Sequence, residues 1–146
     1  MGLFDRISVA TGGGMLNPAE AVAAVNLLAV ASDGYLSDEE SQALWFSLSR
    51  MQLFKSYSDD VVRRMFDKLG GILRRQGSDS LLQLAKMSIP YELGATVFAM
   101  ATDLIMADGT VEPEEEAFLE RLYQLLEVPQ ETALQIIQVM IIKNKG

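Results

Sequence analysis

The chain has 146 residues, 49% of them apolar, with 20 acidic against 12 basic side chains and a formal charge of −8, which suits one globular domain around a single core. It contains neither cysteine nor histidine, which excludes disulfide scaffolds, thiolate or imidazole zinc sites and every catalysis built on those side chains, so any metal must be held by oxygen. The carboxylate excess argues against nucleic acid as a partner, no apolar run reaches the ~18 residues a membrane span needs, and Met1 to Ile7 is too short and polar for a secretory signal, so a cytoplasmic location is expected.

Residues 1–16 carry Gly12-Gly13-Gly14 without sustained periodicity and are expected to form a flexible leader, with Leu3, Phe4 and Ile7 spaced for a short amphipathic turn. The glycines lack the lysine and serine of a phosphate loop. A helical domain is then expected over residues 17–146. Asn17-Pro18-Ala19-Glu20 starts helix one, which runs to about Ser32 and is apolar almost all round, as suits a central helix. Asp33-Gly34 breaks it. Ser37-Asp38-Glu39-Glu40 restarts the chain as a capping box, and helix two is predicted to reach about Phe54, with Leu44, Trp45, Leu48, Met51 and Leu53 inward.

Ser58-Asp59-Asp60 caps helix three, which follows the three-four pattern from Val61 to Leu73 and closes on Arg74-Arg75-Gln76-Gly77. A short helix four covers Ser78 to about Met87, and Pro90 is predicted to open helix five, which runs to Met106. Asp108-Gly109 ends it, Pro113 starts helix six, and Pro129 starts helix seven through Ile142. No stretch alternates at period two, so the predicted class is all-α, a compact bundle of about seven helices.

One unit is written twice. Ser32-Asp33-Gly34-Tyr35-Leu36-Ser37-Asp38-Glu39-Glu40 aligns with Ala107-Asp108-Gly109-Thr110-Val111-Glu112-Pro113-Glu114-Glu115, so helices one to three pair with helices five to seven as a duplicated three-helix unit, with helix four as the joint. Each copy keeps Asp-Gly-x5-Glu, the second half of an EF-hand calcium loop. The first and third loop positions are Ala29 and Ala31 in one copy and Leu104 and Met106 in the other, so a hard cation that needs six to eight oxygens would be bound weakly. Asp103 supplies one further oxygen beside the second corner, where the first copy has Leu28. Asp33, Glu40, Asp103, Asp108 and Glu115 are therefore the candidate ligands for calcium or magnesium. The same pattern also serves structure alone: glycine suits a left-handed helix end, and Glu40 and Glu115 sit where first-turn acids stabilise a helix. Asp33, Asp103 and Asp108 fit that alternative less well, because each lies in or beside the last turn of a helix, where the macrodipole disfavours negative charge.

These two corners, within an acidic, helical chain of this length, resemble the TerB family of tellurite-resistance proteins over about residues 17–145. The resemblance implies a bacterial, cytoplasmic bundle of about seven helices, tied to tellurite and related stresses, acting as a metal-sensing or scaffold domain partly through membrane-associated partner proteins. By position it singles out the same five acidic residues, with Asp38 and Glu112 as neighbours.

Other features are expected to be structural. The eight methionines fall mostly on apolar helix stripes and are expected in the core. Arg63, Arg64, Lys68, Arg74 and Arg75 are expected on a solvated face of helix three. Carboxylates in a tight surface turn have nothing to shift their pKa values, so no enzyme is expected. The functional expectation is a non-enzymatic, divalent-metal-binding or sensing domain that recruits protein partners, itself a monomer or weak dimer; the alternative is a metal-free interaction scaffold.

Overall fold

Helix starts follow from local chemistry. Asn17 accepts a hydrogen bond from the Glu20 amide at 2.7 Å while Glu20 accepts from the Asn17 amide at 3.0 Å, and Ser58 accepts from the Val61 amide at 3.3 Å, so free first-turn donors are satisfied by side chains. The structure, a computed structural model, describes residues 15–31, 35–107 and 109–146. The described elements are helices α1 (Pro18–Val30), α2 (Asp38–Ser49), α3 (Asp59–Gln76), α4 (Ser78–Ser88), α5 (Gly94–Met106), α6 (Pro113–Leu125) and α7 (Gln130–Lys143), with short 3-10 turns at Gln52–Phe54 and Tyr91–Leu93. No strand occurs among the described residues. The class is all-α, as the periodicity predicts.

Two helices form the centre. α1 is buried from Ala21 through Ala29 without interruption, because its run of alanine and valine lets neighbours approach on every side. It packs mainly on α4 and α5. Its one buried polar residue, Asn26, donates to the Val22 carbonyl of the preceding turn at 2.9 Å. α5, buried at Val97, Phe98, Ala101, Thr102 and Ile105, packs on α1, α6 and α7. Thus each copy of the duplicated unit places its Ala-rich first helix centrally, and the two central helices meet. Helix four, expected as a joint, packs chiefly on α1 and α3 and so is absorbed into the first half.

α5 and α7 run in the same direction. Gly94 at the start of α5 lies against Leu126 and Val128 just before α7, and Asp103 near the end of α5 meets Lys143 and Asn144 at the end of α7. α6 makes the return between them.

Several boundaries differ from expectation. Helix one stops at Val30, two residues short of Ser32. Helix two stops at Ser49 instead of Phe54; Met51 is extended, and the 3-10 turn swings Phe54 into the core, edge-on to Trp45 at 5.8 Å and Tyr57 at 5.2 Å. Aromatic packing overrides a helical period that the sequence continues. Pro90 opens a 3-10 turn, and the α-helix begins at Gly94. Leu16, placed in the leader, is buried, so the core starts before Asn17; residues 1–14 lie outside the described residues. Among the methionines Met65 is buried and Met51 and Met100 pack at the core edge, but Met87 is 69% exposed. On α3, Lys68 pairs with Glu20 at 3.0 Å.

The turn after α6 uses a residue that chemistry would not choose. Val128 donates to the Tyr123 carbonyl at 2.9 Å and Glu127 to that of Gln124 at 3.1 Å, the paired bonds of a Schellman motif, with Glu127 at φ 58 where glycine is usual. A left-handed backbone costs a non-glycine residue about 1 kcal/mol or more. Glu127→Gly is therefore expected to raise stability by about 1 kcal/mol, read as a higher urea midpoint at unchanged m-value.

Candidate functional site at the helix corners

The second corner begins where α5 runs out of apolar residues. Gly109 takes φ 84, which a side chain would strain, and its amide donates to the Met106 carbonyl at 3.0 Å. The chain then turns extended to Glu112, whose amide donates to Glu115 Oε1 at 2.8 Å, opening α6. At the first corner the Ser37 amide donates to Glu40 Oε1 at 2.9 Å, and Ser37 Oγ accepts from the Glu40 amide at 3.1 Å. Glu40 and Glu115 thus do one job at equivalent positions, each holding the amide that precedes its helix.

Of the five candidate ligands, Asp33 and Asp108 lie outside the described residues. Glu40 and Glu115 cap α2 and α6. Asp103, half-buried, accepts from Asn144 Nδ2 at 2.9 Å and pairs with Lys143 Nζ at 3.1 Å. A carboxylate near a helix C-terminus is unfavourable alone; the lysine of α7 offsets that and ties the two helix ends together. Among the described residues, no three acidic side chains gather closely enough to hold a metal ion.

The helix ends that lead into the two corners, and the start of α6 that leaves the second, nevertheless share one cleft of about 370 Å³. Ala29 and Val30 from the last turn of α1, Ile105 from the last turn of α5 and Phe118 of α6 give it an apolar wall, and Asp79 of α4 and Glu115 line it with oxygen. Glu114 lines it too. Arg121 of α6 joins Asp79 in an ion pair within it; both side chains are exposed, so the pair is worth at most about 1 kcal/mol and can open. Beside the first corner, the Arg74 guanidinium lies 5.2 Å from the Tyr35 ring centre. Nothing in the sequence pattern joins Asp79 to Glu115 or Arg121, since the contact spans about forty residues across separate helices; Asp79 is legible only as a first-turn acid of α4.

The fold and its paired corners define a class: a helical bundle of two helix–corner–helix units whose Ala-rich first helices meet at the centre. Residues 19–138 match the family model of the tellurite resistance protein TerB, most of the chain, and the chain belongs to that family. No curated protein and no solved structure matches it. No helix among the described residues is long and apolar enough to cross a membrane.

Proposed function

We propose that this chain is a non-enzymatic stress-response domain of the tellurite-resistance type, in which the two corners take up a divalent cation, calcium or magnesium, weakly, and the helical surface recruits partner proteins. The observation that carries the reading is the shared cleft: the two helix ends that lead into the corners open on one space, with Asp79, Glu114 and Glu115 on its wall. Carboxylates on separate helices, not gathered closely enough to hold an ion by themselves, suit a hard cation bound weakly with most of its shell supplied by water. Such a site would respond to cation concentration by drawing helix ends together, which couples an ion to the shape of the surface. On this reading the setting is cytoplasmic and the partners include membrane-associated proteins.

A second reading, the metal-free scaffold, is favoured by the capping bonds of Glu40 and Glu115 and the Lys143 contact of Asp103. Titration separates the two. With calcium, magnesium or manganese at about millimolar concentration, amide shifts are expected at Gly109 and Glu115 and at the cleft residues Val30 and Asp79. Asp108→Asn is expected to weaken the response several-fold and leave the fold intact, with any stability change within about 1 kcal/mol, since it removes a charge beside a helix C-terminus. Silence at both corners throughout the titration rejects the cation, and unfolding of Asp108→Asn marks that acid as structural.

A further inference from the structure

The two copies of the duplicated unit differ at their third helix. The equivalent helix of the first unit, α3, exposes Asp59, Asp60, Arg63, Arg64, Asp67 and Lys68 to one degree or another and buries a full apolar stripe. α7 fully buries one residue, Ala133. Leu134 and Ile141 are each 52% exposed and Ile142 is 71% exposed. The third helix of the repeat thus carries a charged exterior in one copy and an apolar one in the other. Leu134, Ile137 and Ile141 follow helical spacing and form one stripe along α7.

That stripe borders a groove between α6 and α7. Its apolar surface comes from Met106, Leu119, Tyr123, Leu134 and Ile137, and its charged lining residues are Glu116 and Glu120, with no basic side chain among those that line it. An open apolar groove edged by one sign of charge is a surface for a partner of the opposite sign. We infer that the α6–α7 groove docks a basic amphipathic helix of a partner protein, whose apolar side chains at i, i+3 and i+7 lie on Leu134, Ile137 and Tyr123 while its lysines or arginines meet Glu116 and Glu120. A second copy of this chain fits less well, because self-association on this face brings Glu116 and Glu120 of two molecules together in a chain already at −8. The inference rests on the partner-recruiting part of the function proposed above and is independent of its cation.

The test uses the full chain with a chelator present, so the cation plays no part. A fluorescent amphipathic peptide of about 18 residues, leucine on one face and lysine on the other, is titrated by anisotropy, beside the same peptide with glutamate for lysine. The lysine peptide is expected to bind, and the glutamate peptide about tenfold or more weaker, with the difference shrinking at about 500 mM salt. Leu134→Glu, at a half-exposed position outside the buried core, is expected to weaken binding about tenfold, and the double change Glu116→Lys, Glu120→Lys to transfer preference to the glutamate peptide. Amide shifts should fall on α6 and α7 and spare Glu40 and Asp79. Equal binding of both peptides, indifference to Leu134→Glu, or shifts centred elsewhere overturns the inference. So does a dimer in sedimentation that Leu134→Glu disperses, since the groove then belongs to a second copy. A cation response at the corners with no peptide binding sinks this inference alone.

Discussion

Phe98→Ala is expected to remove about 3–5 kcal/mol of stability, a large share of what a domain of this size has. Phe98 is fully buried on α5 and meets the edge of Tyr123 with ring centres 6.2 Å apart. α5 is held by α1, α6 and α7, so its neighbours cannot collapse into the space a lost ring leaves, and the cavity persists. Urea denaturation measures the loss, with Phe98→Leu as a control that keeps most of the volume and should cost far less. The change also removes the support beneath Tyr123, which lines the α6–α7 groove. Binding of the basic peptide should therefore weaken even where the protein stays folded, a link between core packing and surface that a loss of less than about 1 kcal/mol would contradict.

What was legible in the sequence was local. Ser37 and Glu40 announce their capping box, and Pro18 and Pro113 stand at the first helical position of α1 and α6, because caps and prolines act within one turn. Apolar periodicity gave the number of helices and their order. It failed after Ser49, where Leu53 and Phe54 keep helical spacing although the chain has already turned, and at Pro90, which suits a 3-10 turn as well as an α-helix. The site was legible in part for the same reason. The capping role of Glu115 follows from its own neighbours, whereas the partners of Asp103 are Lys143 and Asn144 on another helix. Asp103 sits badly at a helix end by local chemistry, and its compensation by Lys143 and Asn144 is tertiary. Exposure of Leu134 and Ile141 was hidden too, since an apolar residue on a helix does not declare whether a neighbour covers it.

Two glycine-to-alanine changes are expected to have opposite signs. At Gly94 the backbone is ordinary helix, with φ −56, so the constraint is space: an added methyl would stand 2.9 Å from the Leu126 carbonyl oxygen and 3.7 Å from Val128 Cγ2. That oxygen cannot retreat easily, because the hydrogen bonds from Glu127 and Val128 back to Gln124 and Tyr123 fix the turn that carries it. Overpacking of about 1–3 kcal/mol therefore outweighs the helix-propensity gain of at most about 1 kcal/mol, and Gly94→Ala should destabilise. At Gly71, within α3, the new methyl would meet Arg75 Nη1 at 2.9 Å, the far end of an exposed and flexible side chain that can move aside. Only the propensity gain remains, and Gly71→Ala should stabilise by about 0.5–1 kcal/mol. Thermal or urea unfolding of the pair checks the signs. The Gly94 contact also matters for the groove, since it seats the start of α5 on the turn from which α7 departs. Pushing that turn away tilts α7 against α6, so Gly94→Ala, unlike Gly71→Ala, should weaken peptide binding as well as stability.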